Sequence, residues 1–185
     1  MFIACPQEEP AKDLGKLLKK HRLIPNVLKC EPQTLIKILY SCDVKVQPSD
    51  YLSPDVVRLA PIIRWMSDPH KYYTLAMIEP DGRRDNHDYL HWLVGNIPGC
   101  DVVHGDILAA YIGAQPSVDT GRHRYLFVAY KQYCELDFEE PPMTVEQNEG
   151  RFNFNINRFA KKYALGNPVA ANFFLSEFEY DDFDL

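Results

Sequence analysis

Fourteen prolines interrupt this 185-residue chain, and they set the scale of its elements. Proline lacks an amide hydrogen and locks φ near −65°, so it is kept to turns, strand ends and helix starts. Pro48, Pro54 and Pro61 break up residues 48–61, Pro80 closes an apolar run, and Pro168 separates the last two periodic segments. So dense a punctuation predicts many short elements joined by ordered loops, and excludes a helical bundle.

Between the prolines, strand signals outnumber helical ones. Residues 72–78 (YYTLAMI) are almost wholly apolar and predict a central strand buried on both faces. Residues 34–40, 43–46, 62–65, 91–97, 123–131 and 169–178 carry the β-branched and aromatic content of further strands. Two segments have helical spacing. Residues 11–21 place Leu14, Leu17 and Leu18 on one face with lysines opposite. Residues 153–164 align Ile156, Phe159 and Tyr163, with Asn153 or Asn155 available as a cap. Strands do not alternate regularly with helices, so the prediction is a mainly β chain, an antiparallel sheet or sandwich with peripheral helices near both termini. Hydrophobic residues at 46% and charged residues at 25% are ordinary for a globular chain and argue against wholesale disorder.

Acidic residues outnumber basic ones 26 to 20, a formal net charge of −6. That speaks against an extended nucleic-acid surface, which needs a basic face. The five cysteines, Cys5, Cys30, Cys42, Cys100 and Cys134, are odd in number and include no C-x-x-C pair. This predicts scattered reduced thiols, with no zinc site and no disulfide framework. The opening MFIACPQEEP is too short in apolar content for a signal peptide. No run reaches the roughly 18 apolar residues of a membrane helix. A cytoplasmic protein without membrane insertion is the expectation.

Four polar features stand where apolar strands end. Glu79-Pro80-Asp81 follows YYTLAMI and puts two carboxylates at the strand's exit. His91 opens HWLVGNI, and a period of two places it on the face of Leu93, away from Trp92 and Val94. Gly113-Ala114-Gln115-Pro116 is a turn whose backbone N–H groups suit an anion. In Gly121-Arg122-His123-Arg124-Tyr125, His123 and Tyr125 share one face. Arg124 points the other way, as an ion-pair partner for an acid. Neither histidine has a neighbouring serine or cysteine in a nucleophile motif, so catalysis is not predicted, nor a metal or cofactor.

Taken together, these motifs resemble the phosphatidylethanolamine-binding protein family, also known as Raf-kinase-inhibitor-like proteins and flowering-time regulators. The likeness rests on Glu79-Pro80-Asp81 leading to Tyr89-Leu90-His91-Trp92, on Gly113-Ala114-Gln115-Pro116, and on Gly121-Arg122-His123-Arg124-Tyr125. HWLVGNIPG, Ser53-Pro54-Asp55-Val56-Val57 and FAKKYALGNPVAANFF also fit. The chain is similar to a divergent member of insect type, with one domain over residues 1–185 and a core of about 20–180. The resemblance implies a large antiparallel β-sheet packed on a smaller one. It also implies a pocket for a phosphate-bearing ligand or lipid headgroup, formed by Glu79, Asp81, His91, Gly113, Gln115, Pro116, His123 and Tyr125. It implies regulation of a signalling protein such as a kinase; separately, a monomer is expected. Two imidazoles and a phenol suit a phosphate, and the acid suits the ammonium of an ethanolamine headgroup.

The chain departs from the family pattern at Glu79 for aspartate, Gly82-Arg83 for Ala-Pro, Gln115 for glycine and Ser117 for proline. It also stops soon after Tyr180, in an acidic ending. Three readings therefore stand side by side. One is a non-enzymatic headgroup-binding protein. The second is an interaction module whose pocket Gln115 narrows or closes, with backbone strain if that position needs φ > 0. The third is a protease inhibitor.

Overall fold

The computed structural model describes residues 13–81 and 88–179. Cys5, the Gly82-Arg83 departure and the acidic ending from Tyr180 lie outside the described residues. Two helices, α1 (Leu14–Lys20) and α2 (Ile156–Lys162), accompany strands β1 (Thr34–Leu35), β2 (Lys37–Tyr40), β3 (Val44–Lys45), β4 (Asp50–Tyr51) and β5 (Ile62–Arg64). The longer strands are β6 (Tyr72–Glu79), β7 (Tyr89–Pro98), β8 (Asp106–Ala109), β9 (His123–Lys131) and β10 (Pro168–Ser176).

The large sheet runs β1-β10-β9-β6-β7-β8, and β4 also pairs with β10; the small sheet runs β3-β2-β5. From β10 to β8 every pairing is antiparallel. The flanking β1 and β4 are parallel to β10 and share its edge, Thr34 facing Ala170 and Asp50 facing Phe174. The large sheet is therefore mixed at that edge and antiparallel through its centre. The predicted strand over 34–40 divides at Ile36, where the chain leaves the large sheet for the small one. Ile36 still donates its N–H to the Ala171 carbonyl.

Each long strand feeds two cores. On β6, Tyr73, Leu75 and Met77 join a cluster between the sheets that includes Ile38, Ile63 and Trp65 from the small-sheet side. Ala76 and Ile78 face the opposite cluster, which takes Leu14 and Leu18 from α1 and Ile156, Phe159 and Ala160 from α2. The near-continuous apolar run of β6 follows from this: it lies between β7 and β9, covered on both faces. Both helices are shorter than predicted. Asp13 (φ 74°) precedes α1; Asn153 (φ 59°) and Ala164 (φ 51°) bracket α2, and left-handed residues cannot propagate a helix. Asn155 caps α2 by accepting the Arg158 amide at 2.9 Å.

Among the described residues the expectation of reduced thiols fails at Cys100. Cys100 is disulfide-bonded, while Cys30, Cys42 and Cys134 are free. Cys100 is also a fully buried member of the inter-sheet core, and spacing alone gave no sign of its pairing. Among the described residues no helix is long and apolar enough to cross a membrane.

Candidate functional site

β6 ends at Glu79 because Pro80 has no amide hydrogen for a further ladder bond. Period two carries the Tyr73–Leu75–Met77 face on to Glu79. β9 runs alongside, Ile78 opposite Leu126, and begins with His123 and Tyr125 on that same inter-sheet face. On β7 the register jumps: Met77 faces Trp92 but Ile78 faces Leu90, so His91 is an extra residue in the ladder. Such a bulge re-aims a side chain. His91 turns to Glu79 and lies 5.2 Å, centroid to centroid, from the Tyr125 ring, while Leu93 faces the helical side. The expected placement of His91 with Leu93 is thus corrected: unbroken alternation does not survive an inserted residue.

Glu79 bridges the two histidines. His91 Nε2 lies 3.0 Å from its Oε2, and His123 Nδ1 contacts its Oε1. The outer ring nitrogens are engaged as well, His91 Nδ1 with the Ile112 carbonyl at 2.9 Å and His123 Nε2 with Thr120 Oγ1 at 2.7 Å. Glu79, His91 and His123 are at most 5% exposed and Tyr125 is fully buried. Burial pushes the Glu79 carboxyl up, but the hydrogen bonds from His123 and His91 outweigh it and bring the group down to about 2. The Tyr125 phenol is driven far up by burial and then by the Glu79 charge. Its hydroxyl and the Ser176 hydroxyl, opposite His123 in the ladder, are buried with no hydrogen-bond partner among the described residues.

In front of this cluster lies a cavity of about 100 Å³ lined by Glu79, Tyr89, His91, Gln115, Asn148 and Phe152. Gln115 is exposed at its rim, and its backbone is not left-handed, so the expected strain is absent. Gly113 serves packing: a Cβ there would meet the Val57 carbonyl oxygen at 2.6 Å and the Arg58 Cα at 2.9 Å. Pro116 is buried beside Gln115. Asp81 stands off from the cavity, with Oδ1 accepting from Arg124 NH2 at 2.5 Å and Oδ2 from its Nε at 2.8 Å. Arg124 also donates to the His21 carbonyl at 2.6 Å, on the far side of the sheet, as its alternation with Tyr125 predicts.

Three lining residues were not among the sequence candidates. Tyr89 lies two residues before His91, 4.9 Å from its ring, and donates to Asn148 Oδ1 at 2.8 Å. Phe152 packs on Tyr89 at 5.0 Å. Asn148 and Phe152 come from a remote loop that Arg151 fastens down. Its guanidinium is fully buried and donates to the carbonyls of Gln147, Leu90 and Ala110 at 2.8–3.0 Å, and to those of His91 and Thr144.

Comparison with known proteins agrees with this architecture. The family model for phosphatidylethanolamine-binding protein matches residues 29–174. A Drosophila melanogaster protein named "Putative odorant-binding protein A5" is 35% identical over 172 residues, 91% of this chain and 82% of that protein. A 26 kDa secreted antigen of Toxocara canis is 31% identical over 159 residues, which cover 84% of this chain and 61% of the antigen. Among solved structures, the phosphatidylethanolamine-binding protein from Plasmodium vivax superposes with a TM-score of 0.71 at 23% identity, covering 89% of this chain and 97% of that one.

Proposed function

The chain belongs to the phosphatidylethanolamine-binding protein family, and on that premise we propose a non-enzymatic binding protein whose cavity takes a phosphate-bearing headgroup. One observation carries the reading: Glu79 and His91 line a small cavity whose wall includes Tyr89 and Phe152, and Glu79 also holds His123. At about 100 Å³ and about 30 Å³ per water in the liquid, the cavity admits a few heavy atoms. That suits a headgroup and leaves no room for acyl chains. Gln115 and Asn148, both carrying carboxamides, help to line the cavity. The cavity reaches the surface beside Gln115, which favours binding over the reading in which Gln115 closes the pocket.

Titration with glycerophosphoethanolamine, followed by amide and imidazole resonances, tests this. Shifts at His91, His123, Tyr125 and Gln115 are expected at millimolar ligand; unchanged resonances there overturn the reading. Regulation of a signalling protein such as a kinase is proposed on the family resemblance. We also propose an oxidising compartment in place of the cytoplasm. A disulfide at Cys100 suits secretion, and one relative is named as a secreted antigen.

A further inference from the structure

Away from the headgroup cavity, we infer that the outer face of the small sheet is a docking surface for an acidic, partly apolar segment of a partner protein, laid across it in extended form.

The small sheet turns Ile38, Tyr40, Ile63 and Trp65 towards the inter-sheet core. A period of two sends the residues between them outwards. The register fixes their neighbours: Leu39 of β2 lies between Lys45 of β3 and Ile62 of β5, and Lys37 of β2 lies opposite Arg64 of β5. Past β5 the alternation continues, with Trp65 buried and Met66 exposed. Ile62 is 58% exposed and Met66 41%. The face therefore mixes Lys37, Lys45 and Arg64 with Leu39, Ile62 and Met66, and no carboxylate stands among them.

On a chain of net charge −6 this is an island of opposite sign. None of the ion pairs among the described residues involves Lys37, Lys45 or Arg64. Arg64 donates from Nη1 to the Ile63 carbonyl at 2.8 Å and to the Cys100 carbonyl at 3.4 Å, which fixes the guanidinium and leaves its other donors to a partner. The acids nearby are engaged or outside the face. Asp101 Oδ2 meets His104 Nδ1 at 2.8 Å, and Asp68 Oδ1 accepts from the His70 amide at 2.9 Å. Asp43 is exposed in the connection between β2 and β3. Like charges directly opposite each other on neighbouring strands destabilise a sheet, so Lys37 facing Arg64 does not serve the fold. Cations on edge strands alone would be guards against stray pairing. That account leaves unexplained a lysine on the central strand β2 and an exposed isoleucine on the edge strand β5.

Carboxylates complement the three cations, and apolar side chains complement Leu39, Ile62 and Met66. Strands about 4.8 Å apart and a rise of about 3.3 Å per residue make the patch roughly 10 Å wide and roughly 13 Å long. That is the footprint of one extended segment and too small for a folded domain. A bilayer fits less well. The molecule's net charge of −6 opposes approach to an anionic surface, whereas a short segment meets only the field of the patch.

Fluorescence anisotropy of a labelled synthetic peptide of glutamate and leucine tests this with the full chain. Wild type is expected to bind it at least about tenfold more tightly than a peptide with glutamine for glutamate or one with serine for leucine. Raising salt from about 0.05 M to about 0.5 M is expected to weaken binding several-fold. Lys37→Glu turns the like-charge pair across β2 and β5 into an opposite-charge pair. It is expected to unfold at a higher temperature than wild type and to lose about tenfold in peptide affinity. A lower unfolding temperature would show that Lys37 serves the fold, and overturns the inference. Ile62→Ser is expected to lose about threefold in affinity, with thermal unfolding close to wild type. No binding to wild type, or unchanged binding in both variants, overturns the surface. Vesicles of phosphatidylserine and phosphatidylcholine form the last arm. Binding to these through Lys37, without binding to the peptide, overturns the choice of partner.

Discussion

Glu79 holds its two histidines only while ionised, which gives the site a defined acid limit. Its carboxyl lies at about 2 in the fold against an ordinary 4.5. A depressed folded value contributes stability that is complete above the unfolded value and is lost as pH falls through the folded one. The contribution is on the order of 3 kcal/mol. Urea unfolding of wild type and Glu79→Gln at stepped pH measures it. The advantage of wild type is expected to be full above about pH 4.5 and to vanish towards about pH 2. At Gly113 the constraint is steric, since backbone at Val57 and Arg58 cannot move aside as a side chain can. Gly113→Ala is expected to cost about 1–3 kcal/mol, read as a lower urea midpoint. That Glu79, His91, His123 and Tyr125 come together is legible in the sequence, because each is a polar residue near a strand end next to an apolar run. The face of His91 is not legible, because a bulge is set by pairing with β6 and one strand's own residues do not encode it.

The elements that frame the cavity differ in how they are held. β6, β7 and β9 are fixed by ladder bonds and by cores on both faces, and their strands were legible from apolar runs alone. The loop carrying Asn148 and Phe152 instead depends on Arg151, a buried cation bonded to carbonyls of β7, of Ala110 and of the loop itself. No local pattern announces such a clamp, which is why this wall of the cavity was missed. Arg151→Met strands several buried carbonyls and is expected to cost about 3 kcal/mol or more. Hydrogen exchange is expected to quicken across residues 143–150 before the sheet, with weaker headgroup binding. Arg151→Lys, with three donors in place of five, is expected to recover part of the loss. Equal exchange rates in wild type and Arg151→Met would show that the loop is held by other contacts. The division of 34–40 between two sheets was illegible for a related reason. Both halves have strand composition, and only the partners, β10 for one and β3 and β5 for the other, tell them apart.

For the molecule as a whole, Cys100 joins stability to location. It lies in the core between the sheets, just past the end of β7, so its disulfide adds a constraint at the edge of the same strand that presents His91. Removing a native disulfide from a small domain typically costs about 2–5 kcal/mol, and reduction in a cytosol would forfeit that stabilisation. The net charge of −6 gives no attraction to anionic lipid surfaces, so a headgroup would be met in solution or at a neutral surface. Maleimide labelling of the native protein without reductant checks the thiol assignment. Cys42 and Cys134, both exposed, are expected to label within minutes and the half-buried Cys30 more slowly. Cys100 is expected to label only after reduction and unfolding. The reduced protein is expected to unfold at a lower temperature, by about 4–8 °C per kcal/mol on the scale of small domains and about half that at this size. Native labelling of Cys100 would remove both the bond and the argument for an oxidising compartment. The proposed headgroup site would be untouched by that result, because the geometry of Glu79, His91 and His123 is held by β6, β7, β9 and Thr120.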